Sequence, residues 1–374
     1  MEKVSFLFDI KHNEWEHTFL ESLDLSFSKK IFWWMVDLDN SIFDLCEPDY
    51  LLDCVANGSY IVVDHSQDPT STQSVSNLYL SELFFEFDRR GLDKKQIIVL
   101  SPTPSSIFLR NKNVSYNYLT FNSLFEITKT FIKHTDPTSF EPFLLNPKKH
   151  FICLMRRDSS SRRLINYFLH SLELHNKGFI SHLRYVEGKP FSHAALKEEL
   201  IRYINFKEFD SEKFINFALK KHYVEDHTEF IGKGFAAHSY TLHKDLSRQS
   251  TFEIVSETDS NDTFMFSEKT FKPILNKSPF IFLGSPYALK YFRSLGFKTF
   301  NSVIDESYDT ERLMYKRIKS ALEQAKILCE LNISECAKKL EQLNDVCEYN
   351  YNHFLNTCWD FNISSKIENL ICKK

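Results

Sequence analysis

Basic side chains are concentrated in residues 156–163, which read RRDSSSRR and follow a hydrophobic stretch that predicts a buried strand. Arg156 and Arg157 leave this strand, whereas Arg162 and Arg163 enter an amphipathic helix. Arginine at a helix N-terminus opposes the helix dipole by roughly 0.3–1 kcal/mol for each exposed charge, so four arginines together indicate a bound anion. Guanidinium groups and free backbone N–H groups suit a phosphate. The alternative is a solvated basic turn that surface acids neutralise.

A second segment with this chemistry is the loop and helix start around Ser267. Ser267 is a good N-cap residue, and Glu268 and Lys269 follow it in the first turn. Glutamate is favourable at that end of a helix and lysine is not, unless an anion is present. Pro273 either kinks the helix or means that it starts later. Glu268 suits a ribose diol and Lys269 suits a diphosphate, whereas the alternative is an ordinary solvated charge pair.

The elements that position these residues alternate between strand and helix patterns. In the N-terminal part, strands are predicted at residues 3–10, 29–38, 59–65 and 95–102. In a second series, strands are predicted at residues 150–155, 250–258, 278–285 and 296–303. Such alternation predicts an α/β fold with parallel sheets, which bind ligands outside the carboxyl ends of their strands.

The length of 374 residues predicts two domains. Residues 134–149 carry three prolines without a clear period and are interpreted as the interdomain linker. From about residue 309 to the end, the pattern is almost wholly helical. The predicted division is therefore an N-terminal domain at 1–145, a second α/β domain at 146–308 and C-terminal helices at 309–374.

The composition is that of an ordinary globular protein, with 43% hydrophobic and 26% charged residues. The formal net charge of −4 argues against a dedicated nucleic-acid binder, although a local basic groove is compatible with it. The 36 phenylalanines beside 8 glycines indicate aromatic cores and not a ligand site.

The eight cysteines contain no CxxC pair, and they are interpreted as buried side chains of a reduced protein. Five of them lie in the C-terminal fifth: Cys329, Cys336, Cys347, Cys358 and Cys372. The first residues lack the apolar segment of a signal peptide. No stretch approaches the roughly 20 apolar residues of a membrane span. A cytoplasmic location is therefore expected.

Two segments resemble a known family of enzymes. Residues 266–300, FSEKTFKPILNKSPFIFLGSPYALKYFRSLGFKTF, resemble the C-terminal nucleotide-sugar region of GT-B glycosyltransferases, with most similarity to the fucosyltransferase-like pattern. Similar segments occur in viral and bacterial glycosyltransferases. Residues 151–169, FICLMRRDSSSRRLINYFL, resemble the segment that opens the same domain, where an arginine contacts the donor phosphates. The resemblance covers residues 150–310. It implies a GT-B fold, in which two Rossmann-like, doubly wound domains face a cleft and C-terminal helices pack back across the domains.

The resemblance also implies roles for individual residues. Glu268 would hold the donor ribose and Lys269 the diphosphate. Arg157, Arg163 or both would be further phosphate partners. Gly284 would close the turn after a strand.

Members of the family typically need no metal, because positive side chains and a helix N-terminus stabilise the departing diphosphate. No cofactor is therefore expected beyond a nucleotide-sugar co-substrate. Phe266 and Ser267 stand where fucosyltransferases usually have tyrosine and valine, so the donor sugar is left open. Residues 37–39, DLD, mimic a metal-binding motif of another glycosyltransferase fold and are interpreted as coincidence. An acidic loop that could bind Mg²⁺ contains Glu257, Asp259 and Asp262.

An inverting transfer needs a base from the N-terminal domain to deprotonate the acceptor hydroxyl. Asp64, His65 and Asp68 follow the strand predicted at residues 59–65, and histidine ordinarily has a suitable pKa. The alternative interpretation of this segment is a polar turn. The reserve candidates are Glu47 and Asp49.

The sequence therefore predicts a metal-independent glycosyltransferase. Its acceptor would be a hydroxyl of a glycan, of a lipid-linked saccharide or of a modified base in DNA, for which residues 87–96 offer a short basic segment. One alternative is a non-catalytic protein that binds a nucleotide sugar or acts as a scaffold on the same fold. Another is an epimerase-type enzyme that acts on nucleotide sugars. The expected location is the cytoplasm, or the host cytoplasm if the chain is viral.

Overall fold

The computed structural model contains two parallel β-sheets, each in its own unit, which confirms the α/β class predicted from the sequence. The first unit comprises Met1–Thr130, Thr263–Phe266 and Cys358–Lys374, and the second comprises Phe131–Asp262 and Ser267–Thr357. The domain boundaries given above stay a prediction. The structure describes residues 4–7, 27–35, 41–65, 75–102, 115–125, 128–129, 146–155, 159–182, 211–219, 242–257, 266–357, 359 and 362–372.

The sheet of the first unit has five described strands, which lie in the order β1-β2-β3-β4-β5. They are Val4–Leu7 (β1), Ile31–Met35 (β2), Tyr60–Asp64 (β3), Ile97–Ser101 (β4) and Asn117–Thr120 (β5). Continuous runs of β-branched and aromatic residues form β2, β3 and β4, as is typical of buried parallel strands. Because these five strands follow chain order, they lack the reversal that defines the doubly wound sheet expected from the resemblance.

Three described helices accompany this sheet: α1 (Ile42–Leu45), α2 (Pro48–Ala56) and α3 (Val75–Arg90). α1 begins with a capping box in which Ser41 Oγ accepts from Phe43 N at 3.1 Å and Ser41 N donates to Asp44 at 2.8 Å. The helices and one face of the sheet share a core. Its largest members include Phe32, Trp34, Leu51, Leu52, Leu83 and Phe87.

The C-terminal helix, Ile363–Ile371, belongs to the first unit. Its Glu368 carboxylate accepts hydrogen bonds from the backbone N–H of Ser28 at 3.2 and 3.3 Å. Trp359, just before the helix, is 2% exposed and packs on Phe125 with ring centroids 4.5 Å apart. Trp359 is therefore a core residue of the first unit.

The sheet of the second unit has four described strands in the order β7-β6-β8-β9. They are Lys149–Met155 (β6), Gly178–His182 (β7), Ser250–Ser256 (β8) and Phe280–Leu283 (β9). The order reverses between β6 and β8, so this sheet is doubly wound and its switch point lies between those two strands. β7 is not predicted from the sequence, because GFISH is short and most of its residues are only partly buried.

The described helices of the second unit are α4 (Ser160–Ser171), α5 (Ser211–Leu219), α6 (Lys244–Arg248), α7 (Glu268–Leu275), α8 (Ala288–Ser294), α9 (Met314–Glu330), α10 (Ile333–Leu340) and α11 (Asn344–Asn356). α4 packs against α9, and α7 packs against α11. The helical pattern predicted from residue 309 onward is thus confirmed for most of that segment. None of the helices that the structure describes is long and apolar enough to cross a membrane.

The strand predicted at residues 296–303 is wrong, since the backbone there is a turn followed by irregular structure. Lys298 donates its N–H to Asn350 Oδ1 at 2.8 Å, and its carbonyl accepts from Asn350 Nδ2 at 2.9 Å. Phe300 donates its N–H to Glu306 Oε1 at 2.7 Å. Side chains thus satisfy backbone groups that a neighbouring strand would otherwise satisfy.

The cysteines in the described parts of the chain form no disulfide. Cys329, Cys336 and Cys347 are buried as predicted, and burial raises the pKa of the Cys329 and Cys347 thiols to about 12. Cys372 is exposed, so the prediction of burial is wrong for this residue. Cys358 lies outside the described residues.

Candidate functional site

The carboxyl ends of β6 and β8 lie side by side at the switch point of the second sheet. Phe151 is in register with Phe252, and Ile152 with Glu253, so both strands run towards the same edge. α4 begins shortly after β6, and α7 is the next described helix after β8. The N-termini of these two helices therefore flank the position where open α/β sheets bind their ligands.

The N-terminus of α4 is capped by Ser159, whose Oγ accepts a hydrogen bond from Arg162 N at 3.4 Å. The side chains of Arg162 and Arg163 are buried, with exposures of 1% and 4%. The alternative of a solvated basic turn is therefore wrong for these two arginines. A guanidinium is buried only where polar or charged groups compensate it, and both residues interact with other groups of the protein. Arg156 and Arg157 lie outside the described residues.

Arg162 lies close enough to β6 to influence a thiol of that strand. Burial raises the pKa of the Cys153 thiol to about 12, and the positive charge of Arg162 opposes this rise. Cys153 is wholly inaccessible to solvent. Arg162 is therefore a buried cation beside β6. Its charge can attract an anion at the carboxyl edge of the sheet, but its side chain has little contact with solvent.

α7 begins at Glu268 directly after its N-cap residue, Ser267, as the sequence predicts. Ser267 has an extended backbone, and its Oγ accepts a hydrogen bond from Lys269 N at 3.3 Å. Pro273 lies inside the helix, so the alternative of a later start is wrong. Phe271 stacks on a phenylalanine of α11 with ring centroids 4.9 Å apart, and this contact holds α7 in place.

Glu257 follows β8 and is 1% exposed. Its Oε1 accepts from the Ser267 N–H at 2.9 Å and from the Thr270 hydroxyl at 2.5 Å, and its Oε2 accepts from the Ser267 hydroxyl at 2.6 Å. These donors occupy the carboxylate oxygens that a Mg²⁺ ion would need, so the alternative that Glu257 binds Mg²⁺ is not supported. Asp259 and Asp262 of the same loop lie outside the described residues.

Lys269 forms an ion pair with Glu268, in which Nζ lies 2.7 Å from Oε1, and Nζ also lies 3.2 Å from Ser267 Oγ. Burial alone would raise the pKa of Glu268, but the charges of Lys269 and Lys272 hold it below its ordinary value. The carboxylate of Glu268 thus balances the charge of Lys269 at this helix N-terminus. The external anion that the helix dipole suggests is therefore not required to stabilise Lys269.

Gly284 follows β9, where a Cβ would lie 2.3 Å from the ring of Phe282. Its carbonyl accepts a hydrogen bond from Arg317 Nε at 2.9 Å. Arg317 is 2% exposed and also donates to the carbonyls of Glu311 and Arg312 at 2.6 and 3.2 Å. Arg317 therefore holds the turn after β9. The sequence gives no signal for it, because an arginine in an amphipathic helix is usually exposed.

Replacing Gly284 with alanine is expected to lower the free energy of unfolding by about 1–3 kcal/mol, because the new methyl group overlaps the Phe282 ring. Urea unfolding followed by circular dichroism measures this change. The control is the same substitution in a Phe282→Leu background, where the smaller side chain leaves room and the cost should fall below about 1 kcal/mol. Equal costs in both backgrounds would show that the ring is not the obstacle.

The candidate base residues of the first unit lie at the end of β3 and directly after it. Asp64 is 5% exposed, and its Oδ2 accepts a hydrogen bond from the indole N–H of Trp33 at 2.9 Å. His65 is 1% exposed, and neither of its ring nitrogens has a hydrogen-bond partner within the described parts of the chain. Burial lowers its pKa to about 3, so the expected near-neutral pKa is wrong and the imidazole is a weak base. Asp68 lies outside the described residues.

The reserve candidates of the first unit have structural partners. Glu47 caps α2, with its Oε2 accepting from Tyr50 N at 2.6 Å, and Asp49 forms an ion pair with Arg90. Residues 37–39 lie outside the described parts of the chain. Within the described parts, no group of three or more histidine, cysteine, aspartate or glutamate side chains could hold a metal ion.

The basic segment at residues 87–96 is largely neutralised by neighbouring acids. Arg89 and Lys94 pair with carboxylates of α3, each at 2.7 Å, and Arg90 pairs with carboxylates of α2. The segment therefore offers little unbalanced positive charge to a nucleic acid.

No protein-family model, no curated protein and no solved structure matches the chain. A functional assignment therefore depends on the side chains at the switch point and on their geometry.

Proposed function

We propose that the protein is a glycosyltransferase that moves a sugar from a nucleoside-diphosphate sugar to an acceptor hydroxyl. The observation that carries the proposal is the position of two basic helix N-termini beside one switch point. Arg163 lies at the start of α4, after β6, and Lys269 lies at the start of α7, after β8. Nucleotides bind at such a position because strand ends and helix N-termini present cationic and N–H groups to their phosphates.

In the proposed complex, Lys269 pairs with the donor diphosphate and Glu268 accepts hydrogen bonds from the ribose hydroxyls. The two side chains are partly exposed, at 23% and 13%, so a ligand can reach both. Binding would replace their mutual ion pair with one contact from each to the donor. Arg163 would contribute long-range attraction from its buried position, and Arg157, outside the described residues, is a further candidate for direct phosphate contact.

The GT-B fold and metal-independent chemistry are parts of the same proposal. Two parallel sheets in separate units and a C-terminal helix that returns to the first unit support the fold. Cationic side chains would stabilise the departing diphosphate without a metal, so the nucleotide sugar is the only co-substrate required. A cytoplasmic location, in the host if the chain is viral, accompanies this proposal.

The acceptor hydroxyl is proposed to bind the first unit, with Asp64 as its base. The indole of Trp33 orients the Asp64 carboxylate, whereas the low pKa of His65 makes that residue a weaker candidate. A glycan or a lipid-linked saccharide is the favoured acceptor. A base in DNA is less favoured, because the basic segment at residues 87–96 is paired with acids.

Lys269→Ala is expected to weaken nucleoside-diphosphate binding by on the order of 1.5–3 kcal/mol, the range for a hydrogen bond to a charged group. Isothermal titration with a panel of nucleoside diphosphates measures the affinity and identifies the base. Lys319→Ala is the matched control, because it removes an exposed lysine of α9 and changes the net charge equally. Failure of every diphosphate to bind the unmodified protein, or equal affinity of the two variants, would contradict the proposal.

The burial of His65 favours one second candidate, a protein that binds a nucleotide sugar without transferring it. A transferase needs a base that is active near neutral pH; His65 with a pKa of about 3 does not provide one, and the alternative base Asp64 is only 5% exposed. Release of nucleoside diphosphate from the bound sugar donor, measured with a panel of hydroxyl acceptors, separates the two functions. Binding without release supports the second.

A further inference from the structure

A continuous chain of hydrogen bonds runs from the end of β8 to the ammonium group of Lys269. The Ser267 hydroxyl lies 2.6 Å from Glu257 Oε2, and the Lys269 Nζ lies 3.2 Å from Ser267 Oγ. An ionised carboxylate only accepts hydrogen bonds, and a serine hydroxyl has a single proton. The Ser267 proton therefore points to Glu257, which leaves the lone pairs of Oγ for Lys269.

The other oxygen of the carboxylate fixes the backbone of the same turn. Glu257 Oε1 accepts from Ser267 N at 2.9 Å and from the Thr270 hydroxyl at 2.5 Å. Glu257, Ser267 and Thr270 are each at most 1% exposed, so water does not compete for these hydrogen bonds. Charge-assisted hydrogen bonds in a dry setting are the strong ones, and this network holds the first turn of α7 in a single arrangement.

We propose that Glu257 is a positioning residue that acts through Ser267 to hold the Lys269 ammonium at the switch point. This inference rests on the proposed function, since Lys269 is there the group that meets the donor diphosphate. It assigns to Glu257 a role in ligand affinity and not only in stability. The role requires the carboxylate, because an amide at this position would place an N–H donor against Ser267 Oγ and occupy a lone pair that now serves Lys269.

Titration with inorganic pyrophosphate tests this role, because it probes the diphosphate contact without a base or sugar. Glu257→Gln is expected to bind pyrophosphate about tenfold more weakly at a temperature where it is fully folded. Thr270→Val removes a hydrogen bond of the same carboxylate but leaves the Glu257–Ser267–Lys269 chain, so its affinity should stay within about twofold. Ser267→Ala should lose as much affinity for pyrophosphate as Glu257→Gln does. Ser267→Thr keeps the hydroxyl and should retain the affinity of the unmodified protein.

Two results would overturn the positioning role. One is unchanged pyrophosphate affinity in Glu257→Gln. The other is an equal loss in Thr270→Val, which would mean that the network supports only the fold of the turn.

Acylation of lysines by acetic anhydride gives a second readout that does not depend on the donor. If Ser267 restrains the Lys269 ammonium, the reactivity of Lys269 relative to Lys319 should rise in Glu257→Gln and stay unchanged in Thr270→Val. If pyrophosphate and all diphosphates fail to bind the unmodified protein while this reactivity change appears, the proposed function is wrong and the positioning of Lys269 stands. If they bind and Glu257→Gln alters neither readout, the positioning role is wrong and the proposed function stands.

Discussion

Replacing His65 with leucine is expected to stabilise the protein at pH 7 by about 1–3 kcal/mol, the cost of a buried polar group without a partner. His65 is 1% exposed, and neither ring nitrogen has a partner within the described parts of the chain. Leucine has no polar atom to desolvate. The substitution should also remove the part of the acid sensitivity of the first unit that His65 causes.

The pH dependence follows from the depressed pKa of His65. Unfolding restores an ordinary pKa near 6.5, whereas the folded state holds it at about 3. The difference in pKa therefore leaves the free energy of unfolding unchanged above about pH 6.5. As the pH falls from there towards 3, the free energy of unfolding decreases. The loss is about 1.4 kcal/mol for each pH unit in this window, or on the order of 4–5 kcal/mol in all.

Urea unfolding at several pH values between 7 and 4 measures this effect. Tryptophan fluorescence is a suitable signal, because the described tryptophans, Trp33, Trp34 and Trp359, belong to the first unit. The difference between His65→Leu and the unmodified protein cancels other titrating groups, and it should widen as the pH falls. A difference that stays constant from pH 7 to 4 would contradict a buried, neutral His65.

Trp359→Ala is expected to lower the free energy of unfolding of the first unit by about 3–5 kcal/mol, the range for removing a buried tryptophan. Trp359 is 2% exposed and packs on Phe125, so its loss leaves a large cavity. Urea unfolding followed by the fluorescence of the remaining tryptophans measures the cost. Phe85→Ala is the control, because Phe85 is 65% exposed and its removal should change stability by at most about 0.5 kcal/mol. A cost below about 1 kcal/mol for Trp359→Ala would contradict the assignment of residue 359 to that core.

The strands that are predictable from the sequence are those with mostly apolar runs. β2, β3, β4, β6 and β9 have continuous runs, in β1 and β8 a single polar residue interrupts the run, and each of these strands lies within or next to a predicted range. β5 and β7 are only partly buried and therefore lack such a run. The false strand at residues 296–303 contains the apolar residues Phe297, Phe300 and Val303, but Asn350 and Glu306 satisfy backbone groups of this segment from distant positions. Periodicity detects burial, and it does not identify the hydrogen-bond partner.

The features of the candidate site that the sequence predicts are likewise local, and those that it does not predict depend on distant residues. Ser267 as the N-cap of α7 is a local feature, and the sequence predicts it correctly. Glu257 lies ten residues earlier, and its hydrogen bonds with Ser267 depend on how β8 and α7 pack together. The burial of His65 likewise depends on its neighbours in the folded unit, and no local pattern distinguishes it from a titrating histidine.

The ion pair between the adjacent glutamate and lysine at the start of α7 is a feature that the structure shows and the sequence does not predict. The unfavourable position of Lys269 relative to the helix dipole suggests a missing anion, yet Glu268 lies 2.7 Å from it. The pair therefore stabilises itself in the absence of ligand. Under the proposed function, the diphosphate takes the place of the Glu268 carboxylate as the partner of Lys269. The ribose hydroxyls of the donor then donate hydrogen bonds to Glu268.

A crystal structure with the tightest-binding nucleoside diphosphate tests the central claim most directly. We expect its terminal phosphate within hydrogen-bond distance of Lys269 Nζ, the ribose hydroxyls on Glu268 and the Glu257–Ser267 hydrogen bonds intact. A diphosphate bound elsewhere, with the Glu268–Lys269 ion pair unbroken, would contradict the assignment of the switch point between β6 and β8 as the donor site.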